Sequence, residues 1–310
     1  MLCPFLRFCV RGLFCLVAVV CVATRSPAQE LAITFDDLPA HSILPPGVTR
    51  VQVAQGVIQA LHEAGVPSID GFVNGQDLEQ HPEDAEVLSL WIRAGNTLGN
   101  HTWSHMDLNH SSLEAWEQDV IRNEPVLEAA SEYGDDWRWL RFPYLSEGDT
   151  PEKRAGARAF LASRGYKIAA VTMSFGDYAW NEPYARCSTN GDAAAVAELE
   201  KTYLAAAADD IQYRRALAKE SFGHDVPYVL LMHIGAMDAR MLPRLLALYK
   251  SQGFTFITLQ QAEQNPLYAN EINLTLPADP NPLENAAKAR GIPHWPSAPQ
   301  LPAELNTLCR

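Results

Sequence analysis

His101 and His105 lie four residues apart in the stretch Asn100-His101-Thr102-Trp103-Ser104-His105. That spacing turns two imidazoles toward one point, whether the segment is a helical turn or a tight loop. Asp36-Asp37, at the end of the apolar run Leu31-Ala32-Ile33-Thr34-Phe35, offers carboxylates to join them. Asp37 with the two histidines supplies two nitrogens and one oxygen, leaving at least one position open, as a catalytic zinc requires. A divalent metal there lowers the pKa of bound water from about 15.7 toward about 7, making hydroxide available at neutral pH. Asp36 is harder to bring in, because neighbouring residues on a strand face opposite ways. A bend at Leu38-Pro39 would let it reach the water as a general base.

Two more residues gain meaning beside such a site. His233 closes the apolar run Val229-Leu230-Leu231-Met232. Alone it reads as a satisfied core histidine; next to a metal it reads as a general acid for the leaving group. Arg141 ends a short run, Trp139-Leu140, and beside Asp36 its guanidinium would hold that carboxylate ionised and fixed. Trp180 and Leu231 are apolar enough to line a small pocket, and core packing alone would also explain them.

These residues need elements to carry them to one place. Apolar runs at 31–35, 69–73, 97–99, 139–141, 168–173, 228–232 and 254–259 read as strands, separated by stretches of helical periodicity. Pro82 to Ala94, Leu113 to about Ser131 behind the cap Ser111-Ser112, Pro151 to Arg164 and Met241 to Gln252 are the clearest helices. Ala193 to Glu220 is one or two helices inside an insertion of about 181–226, longer than a crossover needs. Strands alternating with helices imply a parallel sheet, and about seven of them favour a distorted, incomplete (β/α) barrel of α/β class. Active sites of such barrels sit at the C-terminal strand ends, where every polar cluster named above falls.

The ends of the chain differ in kind from its body. Residues 1–28 carry Arg7 and Arg11, an apolar run from Leu13 to Val22 and Ser26-Pro27-Ala28, the pattern of a secretory signal peptide. A retained anchor is the alternative; a lipidated Cys21 is not, because Val19-Val20 stands where a small residue is needed. Removing the leader takes away three arginines and no acid, so the net charge moves from −13 to −16. An acidic surface repels nucleic acid and anionic membranes but is compatible with a neutral sugar. The leader also removes four of six cysteines, and Cys187 and Cys309 remain to form one disulfide in an oxidising compartment. The stretch 266–310 is rich in Pro, Asn and Ala and reads as a tail packed on the catalytic domain, 29–265, rather than a second domain.

Thr34-Phe35-Asp36-Asp37, His101-Thr102-Trp103-Ser104-His105, Arg141-Phe142-Pro143-Tyr144 and Leu231-Met232-His233, in this order, resemble the polysaccharide deacetylase family, carbohydrate esterase family 4. The resemblance spans about Leu31 to Ala262. It implies a distorted (β/α) barrel, a divalent metal that is usually zinc (cobalt or nickel are compatible with the same donors), and hydrolysis of acetyl groups from a glycan. Residue by residue, it makes Asp36 the catalytic base, with Asp37, His101 and His105 the metal ligands. Arg141 becomes the residue orienting the base and the Tyr144 N–H the oxyanion donor. Leu231 lines the acetyl pocket and His233 is the acid. One motif departs: family members place an aspartate directly before a tryptophan, whereas Asp177-Tyr178-Ala179-Trp180 puts alanine there. Trp180 is still expected to wall the pocket, and Asp177 is a candidate to tune His233. The function expected is thus a secreted or periplasmic metal-dependent carbohydrate deacetylase acting on N-acetyl or O-acetyl groups. A metallohydrolase of a non-sugar amide or ester and a non-catalytic carbohydrate-binding protein are the alternatives.

Overall fold

A computed structural model describes residues 29–131, 136–292 and 298–310; the expected leader, with Pro293 and Pro296 of the tail, lies outside them. Seven strands form one sheet in which every pairing is parallel: β1 (Gln29–Leu38), β2 (Asp70–Val73), β3 (Thr97–Asn100), β4 (Trp139–Leu140), β5 (Lys167–Ile168), β6 (Tyr228–His233) and β7 (Phe254–Ile257). Their order is β5-β4-β3-β2-β1-β6, with β7 also on β1. Leu31 and Ala32 pair with both β6 and β7, and Thr34 and Phe35 with both β6 and β2. A strand has only two edges, so β7 and β2 share one edge of β1. β1 is therefore the axis of the sheet, and Leu31 to Phe35 are buried on both faces, as a continuous apolar run in a parallel strand requires.

The sheet curls until its ends nearly meet. Met173, beyond β5, bridges to Leu230 of β6, and Leu231 donates to the Met173 carbonyl at 3.0 Å. The strand expected over 168–173 is thus interrupted in its middle. There the Ala169 N–H still bonds the Leu140 carbonyl at 2.8 Å, but Arg141 takes the carbonyls of Ala169 and Ala170, and Glu263 accepts the Ala170 N–H at 2.7 Å. An incomplete (β/α) barrel results, of six to seven strands.

Helices cover the outside. They run α1 (Arg50–Glu63), α2 (Gly75–Gln80), α3 (Ala85–Arg93), α4 (Leu113–Ala130), α5 (Pro151–Ser163), α6 (Asn181–Thr189), α7 (Ala193–Phe222), α8 (Ala236–Ser251), α9 (Leu259–Ala262), α10 (Ala269–Ile272) and α11 (Pro282–Ala289). Local sequence explains several boundaries. Thr49 and Gln52 form a capping box on α1, and the hydroxyls of Ser112 and Thr150 cap α4 and α5. Asp192 starts α7, and Gly223, left-handed at φ 79°, ends it. The stretch 193–220 is thus a single helix, extended to Phe222. Helix α2 was not foreseen, being too short to show a period, and a 3₁₀ turn over Pro82–Asp84 precedes α3 where one helix was expected.

The tail contributes side chains to the core. Tyr268, Leu283, Ala287 and Leu305 are buried, and α11 packs on α7. Cys187 in α6 is bonded to Cys309, closing a loop with a sequence separation of 122. Such a cross-link acts mainly by constraining the unfolded chain, and its loss typically costs about 2–5 kcal/mol. The Cys187→Ala/Cys309→Ala protein should lose stability in that range in guanidinium titrations of the oxidised forms. A midpoint and slope equal to wild type would show that the bond stabilises nothing.

Candidate metal centre and acid–base pair

The site begins with an irregularity in β1. Phe35 pairs with Gly71 but Leu38 with Val73, so β1 carries one residue more than β2 across the same interval. Asp37 absorbs it at φ 64°, in the left-handed region. In a regular strand Asp36 and Asp37 would face opposite ways; the bulge delivers both carboxylates to the rim. The bend thus lies at Asp37 itself, one residue before the expected Leu38-Pro39.

The histidine pair sits on a loop, not a helical turn. Thr102 and His105 have φ 60° and 55°, and neighbouring side chains hold the loop in that shape. Asn74 donates to the carbonyls of His101 and Thr102 at 2.6 and 3.0 Å, and Asn100 accepts the Thr102 N–H at 2.8 Å. Asp119 accepts from the backbone and hydroxyl of Ser104 at 2.9 and 3.1 Å. These bonds offset the cost of two left-handed non-glycine residues, about 1–3 kcal/mol each.

Three ligand atoms converge there. The His101 and His105 Nε2 atoms each lie 3.4 Å from Asp37 Oδ1, and ligand atoms of the three residues fall within 4.8 Å of one another. His101 Nδ1 donates to the Arg141 carbonyl at 2.7 Å, so its Nε2 carries the free lone pair. Asp37 Oδ1 is buried and has no hydrogen-bond partner, a cost that a bound cation would remove. The groups favour the deprotonated forms a metal needs. Burial pushes Asp37 up, but the neighbouring His101 and His41 imidazoles, with the charge of His233, hold it well below the usual carboxylate range. Burial and neighbouring His101 lower His105 from 6.5 to about 4. The residues therefore fit a divalent cation bound by two nitrogens and one oxygen.

A fixed carboxylate lies on one side. Arg141 reaches Asp36 at 3.2 and 3.3 Å and also holds Thr34 Oγ1 at 3.0 Å. The His233 imidazole stands beside that carboxylate, in register with Asp36 on the neighbouring strand. Asp177, wholly buried, accepts the His233 backbone N–H at 2.6 Å and its ring Nδ1–H at 3.0 Å. Burial opposes the cation, but the Asp177 carboxylate outweighs it, with Asp37 and Asp36 adding to the effect, and His233 is pushed up to about 10.

The remaining expected residues are placed as follows. Tyr144 is exposed, left-handed at φ 57°, with its ring 4.5 Å from that of His105; its N–H has no hydrogen-bond partner among the described residues. Leu231 is buried two residues before His233. Trp180 is not at the rim, contrary to expectation. It is 0% exposed, donates to Thr202 Oγ1 at 3.0 Å and packs on Phe175 and Tyr203, because the 3₁₀ turn over Asp177–Trp180 sends it beneath α7. Tyr178 takes the rim position instead, its ring 5.3 Å from that of His233. His41 is the other residue the sequence reading missed: its Nδ1 donates to Asp37 Oδ2 at 2.7 Å. A cleft of about 190 Å³ opens beside these candidate ligands, lined by Asp37, His41, Asn74, Asp77, Trp103 and His105 among others.

Residues 23–160 match the sequence model of a known family, described as polysaccharide deacetylase. The chain thus resembles the polysaccharide deacetylases over somewhat less than half of its length. A peptidoglycan-N-acetylglucosamine deacetylase of Bacillus cereus is 25% identical over 115 residues, covering 37% of this chain and 36% of that relative. The match thus spans about a third of either protein. The fold carries the likeness further. A mutant of the Bacillus anthracis protein BA3943, a CE4 family pseudoenzyme with restored enzymatic activity, superposes with a TM-score of 0.52 at 16% identity, covering 77% of this chain and 68% of that one. The Bc1960 peptidoglycan N-acetylglucosamine deacetylase superposes with a TM-score of 0.51 at 16% identity, covering 78% and 91%. At these identities the likeness shows the fold alone, over more of the chain than the family model matches.

The two shifted histidines make opposite contributions to stability in metal-free protein. From pH 6.5 down to about 4, an unfolded His105 binds a proton that the folded one refuses, so acidification destabilises. The His233 contribution is complete below 6.5 and is lost as pH rises to about 10, because the folded state keeps a proton the unfolded state has released. Asp177→Asn removes the main support of that cation. In chelator-treated protein, thermal melts should therefore show a smaller loss of stability between pH 6.5 and 10 for Asp177→Asn than for wild type. Equal slopes would contradict the assignment.

Proposed function

We propose that the protein is an exported, metal-dependent deacetylase that hydrolyses acetyl groups from a glycan. The observation carrying this reading is the buried Asp37 Oδ1, unpartnered among the described residues and facing two imidazole nitrogens, with an arginine-held carboxylate and an aspartate-paired imidazole nearby. A divalent metal on Asp37, His101 and His105 would polarise the acetyl carbonyl and make hydroxide available near neutral pH. Zinc is the first choice, and cobalt or nickel suit the same donors.

The chain's own residues divide the remaining work. Asp36, immobilised by Arg141, takes the proton of the attacking water. The Tyr144 N–H donates to the acetyl oxygen as it gains charge. His233, kept cationic by Asp177, gives its proton to the departing amine or alcohol, and Leu231 offers an apolar surface to the methyl group. One carboxylate works as base and one imidazole as acid at the same pH because their environments differ. The N-acetyl substrate named for the Bacillus cereus relative supports an acetylated amino sugar here. The basic, apolar leader and the disulfide support a secreted or periplasmic location.

Acetate release from N-acetylated chito-oligosaccharides, acetylated xylan and peptidoglycan tests the proposal. Release should require divalent metal, and Asp36→Asn should lower kcat by about 10²–10⁴ with little change in KM. Activity surviving both chelation and Asp36→Asn would sink the mechanism. Glycan binding without acetate release would favour a carbohydrate-binding protein, and release from non-sugar amides alone a different metallohydrolase.

A further inference from the structure

We infer that His41 is a positioning residue for the metal centre: it occupies one oxygen of Asp37 so that the carboxylate meets a metal through the other alone. The inference rests on the proposed metal site and adds a residue to it. His41 Nδ1 lies 2.7 Å from Asp37 Oδ2, whereas Asp37 Oδ1 has no hydrogen-bond partner and lies 3.4 Å from both His101 and His105 Nε2. An ionised carboxylate only accepts hydrogen bonds, so the shared proton belongs to His41 Nδ1. The two oxygens of Asp37 are therefore not equivalent: one is committed to His41, the other turned toward the imidazoles.

His41 is itself held in place. Its backbone N–H donates to the Ile234 carbonyl at 2.9 Å, tying the loop after β1 to the end of β6. Its ring packs 4.9 Å from that of His233 and 6.2 Å from that of Tyr178. It is not a fourth ligand in this arrangement: the ring nitrogen nearest Asp37 already serves Oδ2, and the convergent set is Asp37, His101 and His105. The consequence is coordinative. A carboxylate with both oxygens free can bind a cation through both and fill a position that water or substrate needs. With Oδ2 committed, the described residues converge on a cation with three donor atoms, one each from Asp37, His101 and His105. Residues that orient a ligand in this manner typically change metal affinity by about 10–100-fold when removed.

The test compares wild type, His41→Leu and His41→Asn, the asparagine amide being able to donate from nearly the place of Nδ1. Zinc affinity is measured by competition with a chromophoric chelator, and the visible absorption of the cobalt-loaded proteins reports coordination number. His41→Leu should bind zinc about 10–100-fold more weakly, with weaker cobalt absorption, as a further oxygen enters the coordination sphere. His41→Asn should stay within about threefold of wild type. Circular dichroism and melting of the metal-free proteins check that each variant is folded. His41→Leu with wild-type zinc affinity and cobalt spectrum would overturn the role. So would His41→Asn as impaired as His41→Leu, which would assign the effect to packing rather than to the hydrogen bond. A wild-type protein that binds neither ion would overturn the metal site of the proposed function, and this inference with it.

Discussion

A guanidinium does not give up its charge inside a protein, so Arg141, 1% exposed, must be surrounded by acceptors. Its environment reads as a map of the barrel rim. It reaches Asp36 and Thr34 on β1, the carbonyls of Ala169 and Ala170 beyond β5, and the face of the Phe72 ring on β2 at 4.8 Å. Its own carbonyl accepts the His101 Nδ1–H. One buried cation thus fixes the Asp36 carboxylate, engages the chain just after β5 and, through its own carbonyl, orients the His101 ring. Leaving such a charge unpaired costs about 3–5 kcal/mol, which ties the integrity of the rim to the site it carries.

The other half of the site uses the opposite arrangement. Here the fully buried charge is a carboxylate, Asp177, and the group it supports is a cation-forming imidazole. Asp36 beside Arg141 and His233 beside Asp177 form two couples in which acidic and basic groups meet, next to the cluster of Asp37, His101 and His105. That separation of environments is the usual way for one fold to hold an acid and a base together at neutral pH.

The acid half depends on parts of the chain far away in sequence. Gly176, just before Asp177, leaves room for Leu301 of the tail; a Cβ there would come within 2.9 Å of it. Arg186 of α6 donates to the carbonyls of Leu305 and Leu308, next to the Cys187–Cys309 bond. Trp180 is anchored to α7 through Thr202. The insertion and tail therefore brace the turn that presents Asp177. They do so from behind, through packing and backbone hydrogen bonds rather than by entering the site.

Residue type and spacing along the chain were enough to identify the strands, the barrel and the histidine pair, because periodicity and strand-end polarity are local properties. Arg141 and Asp36 could be paired on paper because both close apolar runs. The rest was not legible there. Nothing in Asp36-Asp37 announces a bulge, since the extra residue exists only relative to β2, and that register is a pairing between distant segments. His41 carries no signal, because its meaning is a 2.7 Å contact made when its loop returns to β6. Trp180 was misplaced for the same reason: being aromatic says it will be buried, but only the packing of α7 says where. The sequence by itself determined which groups were available and which strand ends carried them, because those follow from local pattern. The tertiary structure alone decided which oxygen of Asp37 faces the imidazoles, which aromatic stands at the rim and which carboxylate charges His233, because each is a contact between residues that the chain brings together only by folding.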